Sequence, residues 1–163
     1  MSIVPLAPTR LSDPTWRRLV TVLGRRRFRN GSGSDVVDWA VDALVAGWES
    51  PSLNVLGGLA KPPNEFEVDR YVERMMQGLG VEMPDESHLA DLYALAIALD
   101  LLAGAVSPYE GARELSHLWM KSAQPKKLQP WFGYEDEYEL ARDGVYGDVA
   151  DVEEARRLVA QEP

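Results

Sequence analysis

The chain contains no cysteine. That excludes a disulfide framework, a thiolate zinc site, an iron–sulfur cluster and a cysteine nucleophile, and it suits the cytoplasm, the expected location. No apolar run is long enough to cross a bilayer. The longest, from Leu92 to Val106, is interrupted by Asp100, so no membrane partner is expected. The opening segment MSIVPLAPTRL is a short apolar run broken by two prolines and does not read as a signal peptide. P-loop, G-x-G-x-x-G, G-x-S-x-G and H-E-x-x-H motifs are missing. So are runs of period-two alternation bounded by turn residues, and no substantial sheet is expected.

What is present suffices for a core. Of 163 residues, 45% are apolar, as in an ordinary folded domain. The net charge of −9 is unevenly spread. Residues 1–30 hold seven arginines (Arg10, Arg17, Arg18, Arg25, Arg26, Arg27 and Arg29) against Asp13, a local charge of +6, so the rest of the chain carries −15. The asymmetry marks off residues 1–34, a basic helix followed by an Arg-rich loop with the sequence GSGS, from an acidic helical domain, 35–163. GSGS has the composition of a flexible joint, native or engineered. Two readings of the basic segment stand side by side. It lies against the acidic body of its own molecule, or Arg25, Arg26, Arg27 and Arg29 hold an anionic ligand. A pI near 4.7 argues against a dedicated nucleic-acid binder.

Helix signals fill the sequence. Asp13-Pro14 reads as an N-cap with proline at the first helical position, opening a helix that carries Trp16, Leu19, Val20 and Leu23 and stops near Gly24. RRRFRNGSGS reads as a loop. Ser34 or Asp35 caps a second helix reaching Trp48, with Asp35, Asp38 and Asp42 on one face. Ser50-Pro51 starts a short third helix that ends at Gly57-Gly58. Asn64 opens a fourth, with Glu67 as its capping-box partner, a stripe of Val68, Tyr71, Val72, Met75, Met76 and Leu79, and Gly80 as its stop.

The fifth helix, from Pro84-Asp85 to about Ala103, is apolar nearly all round, as the centre of a bundle is. Leu92, Leu95, Ala96, Leu99 and Leu102 are assigned to the core. A sixth helix runs from Pro108 to about Lys121. Pro125 and Pro130 then break the chain, Tyr134 to Arg142 supplies a seventh helix, and Asp151 caps a last one. The expected fold is all-α: a compact single-domain bundle of about six to eight short helices around a buried central helix at about 86–103.

Four groups of residues carry chemistry. In SPYEGAR, Ser107, Pro108 and Glu110 form a capping box with a favoured proline inside it, and Gly111 and Ala112 permit close approach of a neighbouring helix. Tyr109 and Arg113, four apart, either pair locally or meet a ligand. Glu114-x-x-His117 has the spacing of helix-bundle carboxylate metal sites, and His88-x-x-Asp91 lies on the preceding helix; a di-iron site would need two Glu-x-x-His pairs, and only one is present. In QPWFGYEDEYE, the rings of Trp131, Phe132, Tyr134 and Tyr138 alternate with Glu135, Asp136 and Glu137, the mixture that suits aromatic anchors inside a charged rim. The bland alternative is that these rings fasten the segment to the bundle.

The runs DALVAGWESPSLNVLGGL, AGAVSPYEGAREL and WFGYEDEYE, in that order, resemble a group of small bacterial all-helical proteins of uncharacterised function. That group carries a "SPAL-x-x-LAGL"-like helix, a "G-x-[IV]-SPYEGA" helix start and a Trp/acidic segment after it. The similarity covers roughly residues 40–140. Trp119 and the tyrosine-rich WFGYEDEYE depart from the pattern. The resemblance implies one helical domain and transfers no catalytic residue.

The leading expectation is a non-enzymatic protein-interaction module, an immunity- or antitoxin-like inhibitor or an adaptor, that holds a basic protein partner through Trp131 to Tyr138 and needs no cofactor. The first alternative is a metal- or small-ligand-binding bundle with enzymatic activity using His88, Asp91, Glu114 and His117. The second is anionic-ligand binding through the Arg-rich segment.

Overall fold

A computed structural model of the chain describes residues 3–131, 133 and 134. The protein is all-α, with six α-helices lying wholly among the described residues, α1 (Pro14–Phe28), α2 (Gly33–Val45), α3 (Pro51–Gly57), α4 (Glu65–Gly78), α5 (Glu86–Leu102) and α6 (Pro108–Lys121), and a seventh that begins at residue 129. Two 3-10 turns, Pro8–Ser12 and Lys126–Leu128, and two strands of two residues each complete them. The strands, β1 (Val4–Pro5) and β2 (Val81–Glu82), pair in parallel with Val4 opposite Val81. Contacts divide the chain into two compact units, Met1–Ala96 and Ile97–Pro163. The charge boundary at residue 34 is not a boundary in the packing, since α1 belongs to the same unit as residues 35–96.

In the first unit, α2 packs on α1 and α3, and α3 on α4. Local chemistry sets most helix starts. The Asp13 carboxylate accepts from the Thr15 N–H at 2.8 Å, Asn64 Oδ1 from the Phe66 N–H at 3.0 Å, and Asp85 Oδ1 from the His88 N–H at 2.8 Å. The core is Leu6, Leu11, Leu19, Val20, Trp39, Leu53, Leu56, Val68, Met75 and Met76, all fully buried. Trp39 donates its indole N–H to the Thr15 carbonyl at 3.0 Å, so its one polar atom is satisfied inside the core. Trp48 joins it edge-on, with centroids 5.9 Å apart, and lies 4.8 Å from Trp16.

Two expected boundaries move. α1 does not stop at Gly24. It continues to Phe28, and Gly24 is buried where a Cβ would stand 2.3 Å from Tyr93 Cγ. The glycine admits a ring rather than ending a helix. Arg25, Arg26 and Arg27 therefore ride on a helix and not on a flexible arm. α2 begins earlier than Ser34: Ser32 is its N-cap, and the Asp35 carboxylate reaches back to the Ser32 N–H at 2.8 Å. GSGS is thus half helix. Gly31 and Gly33 both sit where a Cβ would be within 3 Å of other atoms, Arg26 N in one case and Glu65 Oε1 in the other.

α5 forms where the sequence puts it, but its burial is uneven. Leu89, Leu92, Tyr93, Ala96 and Ile97 are buried, whereas Leu95 is exposed and Leu102 is 74% exposed. The apolar run is therefore continuous in sequence and only partly used for packing.

In the second unit, the SPYEGAR box is present on α6. The Glu110 N–H donates to Ser107 Oγ at 3.2 Å, and the Ser107 N–H donates to Glu110 Oε2 at 3.0 Å. Gly111 lets Leu101 approach so closely that a Cβ would lie 2.5 Å from its Cδ2. Gly104, at φ +68°, stands in the turn between α5 and α6. Pro130 does not break the chain. Residues 129–131 are helical, so proline falls in the first turn of a helix, where its missing N–H costs nothing. The remainder of the expected seventh helix and the last one lie outside the described residues.

Candidate functional site

The first unit carries a groove of about 500 Å³, bounded by the last turns of α1, the first turns of α4 and the start of α5. Leu23, Met83 and Leu89 supply apolar lining, and Arg26, Arg27, Glu65, Asp69 and Glu86 supply charge. Glu65 and Asp69 share a face of α4 because they are four residues apart. Arg26 lies beneath them, with its side chain only 16% exposed. Its Nε–H and Nη2 donate to Glu65 Oε2 at 3.1 and 2.6 Å, and Nη1 donates to Asp69. The other Glu65 oxygen accepts from the Gly33 N–H at 3.0 Å. One carboxylate on α4 thus holds a guanidinium from α1 and the first amide of α2. Across the groove, Arg27 pairs with Glu86, and both side chains are at least half exposed.

The electrostatics follow from this geometry. Burial pulls the Arg26 pKa down, but the hydrogen bonds to Asp69 and Glu65 outweigh it and the value is raised. Arg26, chiefly, and the Gly33 N–H hold Glu65 below the usual carboxylate range. The solvent-facing groups are the carboxylates: Asp69 is 66% exposed and Glu65 55%, above the covered Arg26. Phe66, next to Glu65 on α4, is 85% exposed.

The other site residues read from the sequence are placed as follows. Of the Arg quartet, Arg26 and Arg27 are engaged with carboxylates of their own chain, while Arg25 and, through its charge, Arg29 act on the Tyr93 hydroxyl. Burial pushes the Tyr93 hydroxyl pKa up, and the two arginines partly oppose that. The four guanidiniums are therefore shared between two sets of partners, which disfavours a single anion site built from all of them. The acidic face of α2 is also spent internally, with Asp35 in a cap, Asp38 paired to Lys61 and Asp42 paired to Arg18.

Tyr109 and Arg113 pair with each other, the guanidinium carbon lying 5.7 Å from the ring centroid. His88 and Asp91 belong to the first unit and Glu114 and His117 to the second. Among the described residues, no group of three His, Asp or Glu side chains is placed to hold a metal ion. In the acidic-aromatic segment, Trp131 and Tyr134 are half-buried and meet edge to face at 5.8 Å. Phe132, Glu135, Asp136, Glu137 and Tyr138 lie outside the described residues.

Sequence reasoning missed Glu65, Asp69 and Glu86 as rim residues, and did not single out the exposed Phe66, which does not line the groove. A signal for Phe66 was present. It falls off the Val68, Val72, Met75, Met76 stripe that α4 buries, so its ring had to face elsewhere. Comparisons with protein-family models, with curated proteins and with solved structures find no match to this chain.

Proposed function

We propose that the protein is a non-enzymatic interaction module that holds a basic protein partner. The observation that supports this most is the internal discharge of the Arg-rich segment. Arg18, Arg26 and Arg27 are each engaged by carboxylates of the same chain, on α2, α4 and α5. These arginines of the basic segment are then committed to the fold, and the net charge of the whole chain, −9, is acidic. A surface of that sign speeds encounter with a cationic partner, while apolar contacts set the lifetime of the complex.

The test is a pull-down from the native host followed by kinetics with the captured protein. Replacing Glu135, Asp136 and Glu137 together by Gln should slow association and flatten its salt dependence, and Trp131→Ala should speed dissociation. Capture only of acidic proteins, or kinetics indifferent to salt, would overturn the reading.

A further inference from the structure

We infer that the outward face of α4 docks a second partner of the opposite kind, a protein segment that presents carboxylates beside an apolar side chain. The inference goes beyond the basic-partner reading and uses none of its residues. Phe66, Arg70 and Arg74 follow one another at intervals of four and so share a stripe of the helix. Phe66 is 85% exposed, and both arginines are exposed. Tyr71 lies half-buried at their edge. Both guanidiniums rest over its ring, with their carbons 5.8 and 6.0 Å from the centroid.

These arginines differ from those of α1. Arg18, Arg26 and Arg27 are each held by a carboxylate of the chain. Among the described residues, no carboxylate forms an ion pair with Arg70 or Arg74, although Glu67 and Glu73 stand three residues to either side of Arg70, at a spacing that permits pairing. Glu73 instead accepts from Gln77 Nε2 at 3.4 Å. A guanidinium laid on a ring uses its face there and keeps the N–H donors on its edge for a planar acceptor. The ring also restrains two long side chains, so less rotamer freedom is lost when a carboxylate arrives. Beside them, Phe66 gives an apolar side chain of the partner a surface to cover. Arginine and aromatic rings are the residues that most often anchor protein interfaces. The flanking Glu67 and Glu73 oppose a long polyanion, which favours a protein segment with spaced carboxylates over a nucleic-acid strand.

The probe is a short synthetic peptide of alternating aspartate and leucine, acetylated and amidated, titrated into the full chain by calorimetry at low salt. A peptide of alternating aspartate and serine and a single-stranded oligonucleotide of equal charge are the comparisons. The wild type should bind the Asp-Leu peptide most tightly. Arg70→Gln and Arg74→Gln should each weaken it about fivefold, the loss of one exposed charged contact. Lys121→Gln, which removes the same charge from an exposed site on α6, should have little effect. Arg74→Lys keeps the charge and loses the stacked fork, so it should weaken binding nearly as much as Arg74→Gln. Phe66→Ala, at a site whose exposure leaves folding undisturbed, should weaken the Asp-Leu peptide and not the Asp-Ser one.

No binding of the Asp-Leu peptide by the wild type, binding indifferent to Arg70→Gln and Arg74→Gln, or tighter binding of the oligonucleotide would overturn the proposal. So would an Arg74→Lys protein that binds like the wild type, or a loss in Lys121→Gln equal to that in Arg74→Gln, since either leaves charge alone as the cause. The basic-partner reading is decided separately, by its own kinetics with Glu135, Asp136 and Glu137 replaced.

Discussion

Gly24 lies directly beneath the ring of Tyr93: a Cβ built on the glycine would stand 2.3 Å from Cγ and 2.6 Å from both Cδ atoms. α1 and α5 meet here through a missing side chain. Phe28, one turn further along α1, lies nearly parallel to the same ring at 6.4 Å. Gly24→Ala therefore sets two effects against each other. Helix propensity favours alanine by up to about 1 kcal/mol. The overlap forces Tyr93 or the helix to move, which costs about 1–3 kcal/mol or more in a packed site. Net destabilisation is expected, read as a lower urea midpoint at unchanged slope. A neutral or stabilised variant would mean that Gly24 acts only as a helix interrupter.

A second expectation contrasts two leucines on one helix. Leu92 is buried and Leu102 is 74% exposed, although the sequence around them is equally apolar. Leu92→Ala should cost about 2–5 kcal/mol. Leu102→Ala should stay within about 0.5 kcal/mol, as surface changes do. Equal losses in chemical denaturation would show that both residues are enclosed.

The dependence on pH turns on Glu65. Its folded-state pKa lies below its unfolded value because Arg26 and the Gly33 N–H stabilise the charged form. The resulting stability is full above the unfolded value and disappears as pH falls through the depressed folded one, beneath the ordinary carboxylate range. Glu65→Gln removes that component. Urea midpoints of the two proteins should be separated at neutral pH, with the wild type more stable, and should converge on acidification. Parallel curves would show that the carboxylate's charge is not what binds α1, α2 and α4 together.

Much of this fold was legible where the determining contacts are local. Ser107 and Glu110, or Asp13 and Thr15, lie within three residues of one another, and their hydrogen bonds follow from residue type and spacing. Gly24 was not legible, because a glycine that stops a helix and a glycine that admits a ring read alike until the partner is known, and Tyr93 lies far along the chain. Ser32 lost its role as cap to Ser34 and Asp35 in the reading because three candidates stand nearly side by side. The groove was hidden for the same reason as Gly24. Arg26 and Arg27 looked like a free basic cluster, and only the tertiary structure brings Glu65, Asp69 and Glu86 to them. The aromatic-acidic segment, by contrast, was chosen on composition, and only Trp131, Gly133 and Tyr134 of its central stretch fall among the described residues.

The parallel pairing of β1 with β2 has a kinetic side. Two strands that lie together and run the same way oblige the chain between them, here the whole of α1 through α4, to travel out and return before they can meet. Closing so long a loop carries more entropy than docking α1 on α2 or α2 on α3, whose intervening turns are short. The expected order of assembly is helices first, neighbour by neighbour, and the pairing of β1 with β2 last. The Val4 amide, bonded to the Gly80 carbonyl at 3.1 Å, should then gain protection from hydrogen exchange late in refolding, which pulse-labelling would check.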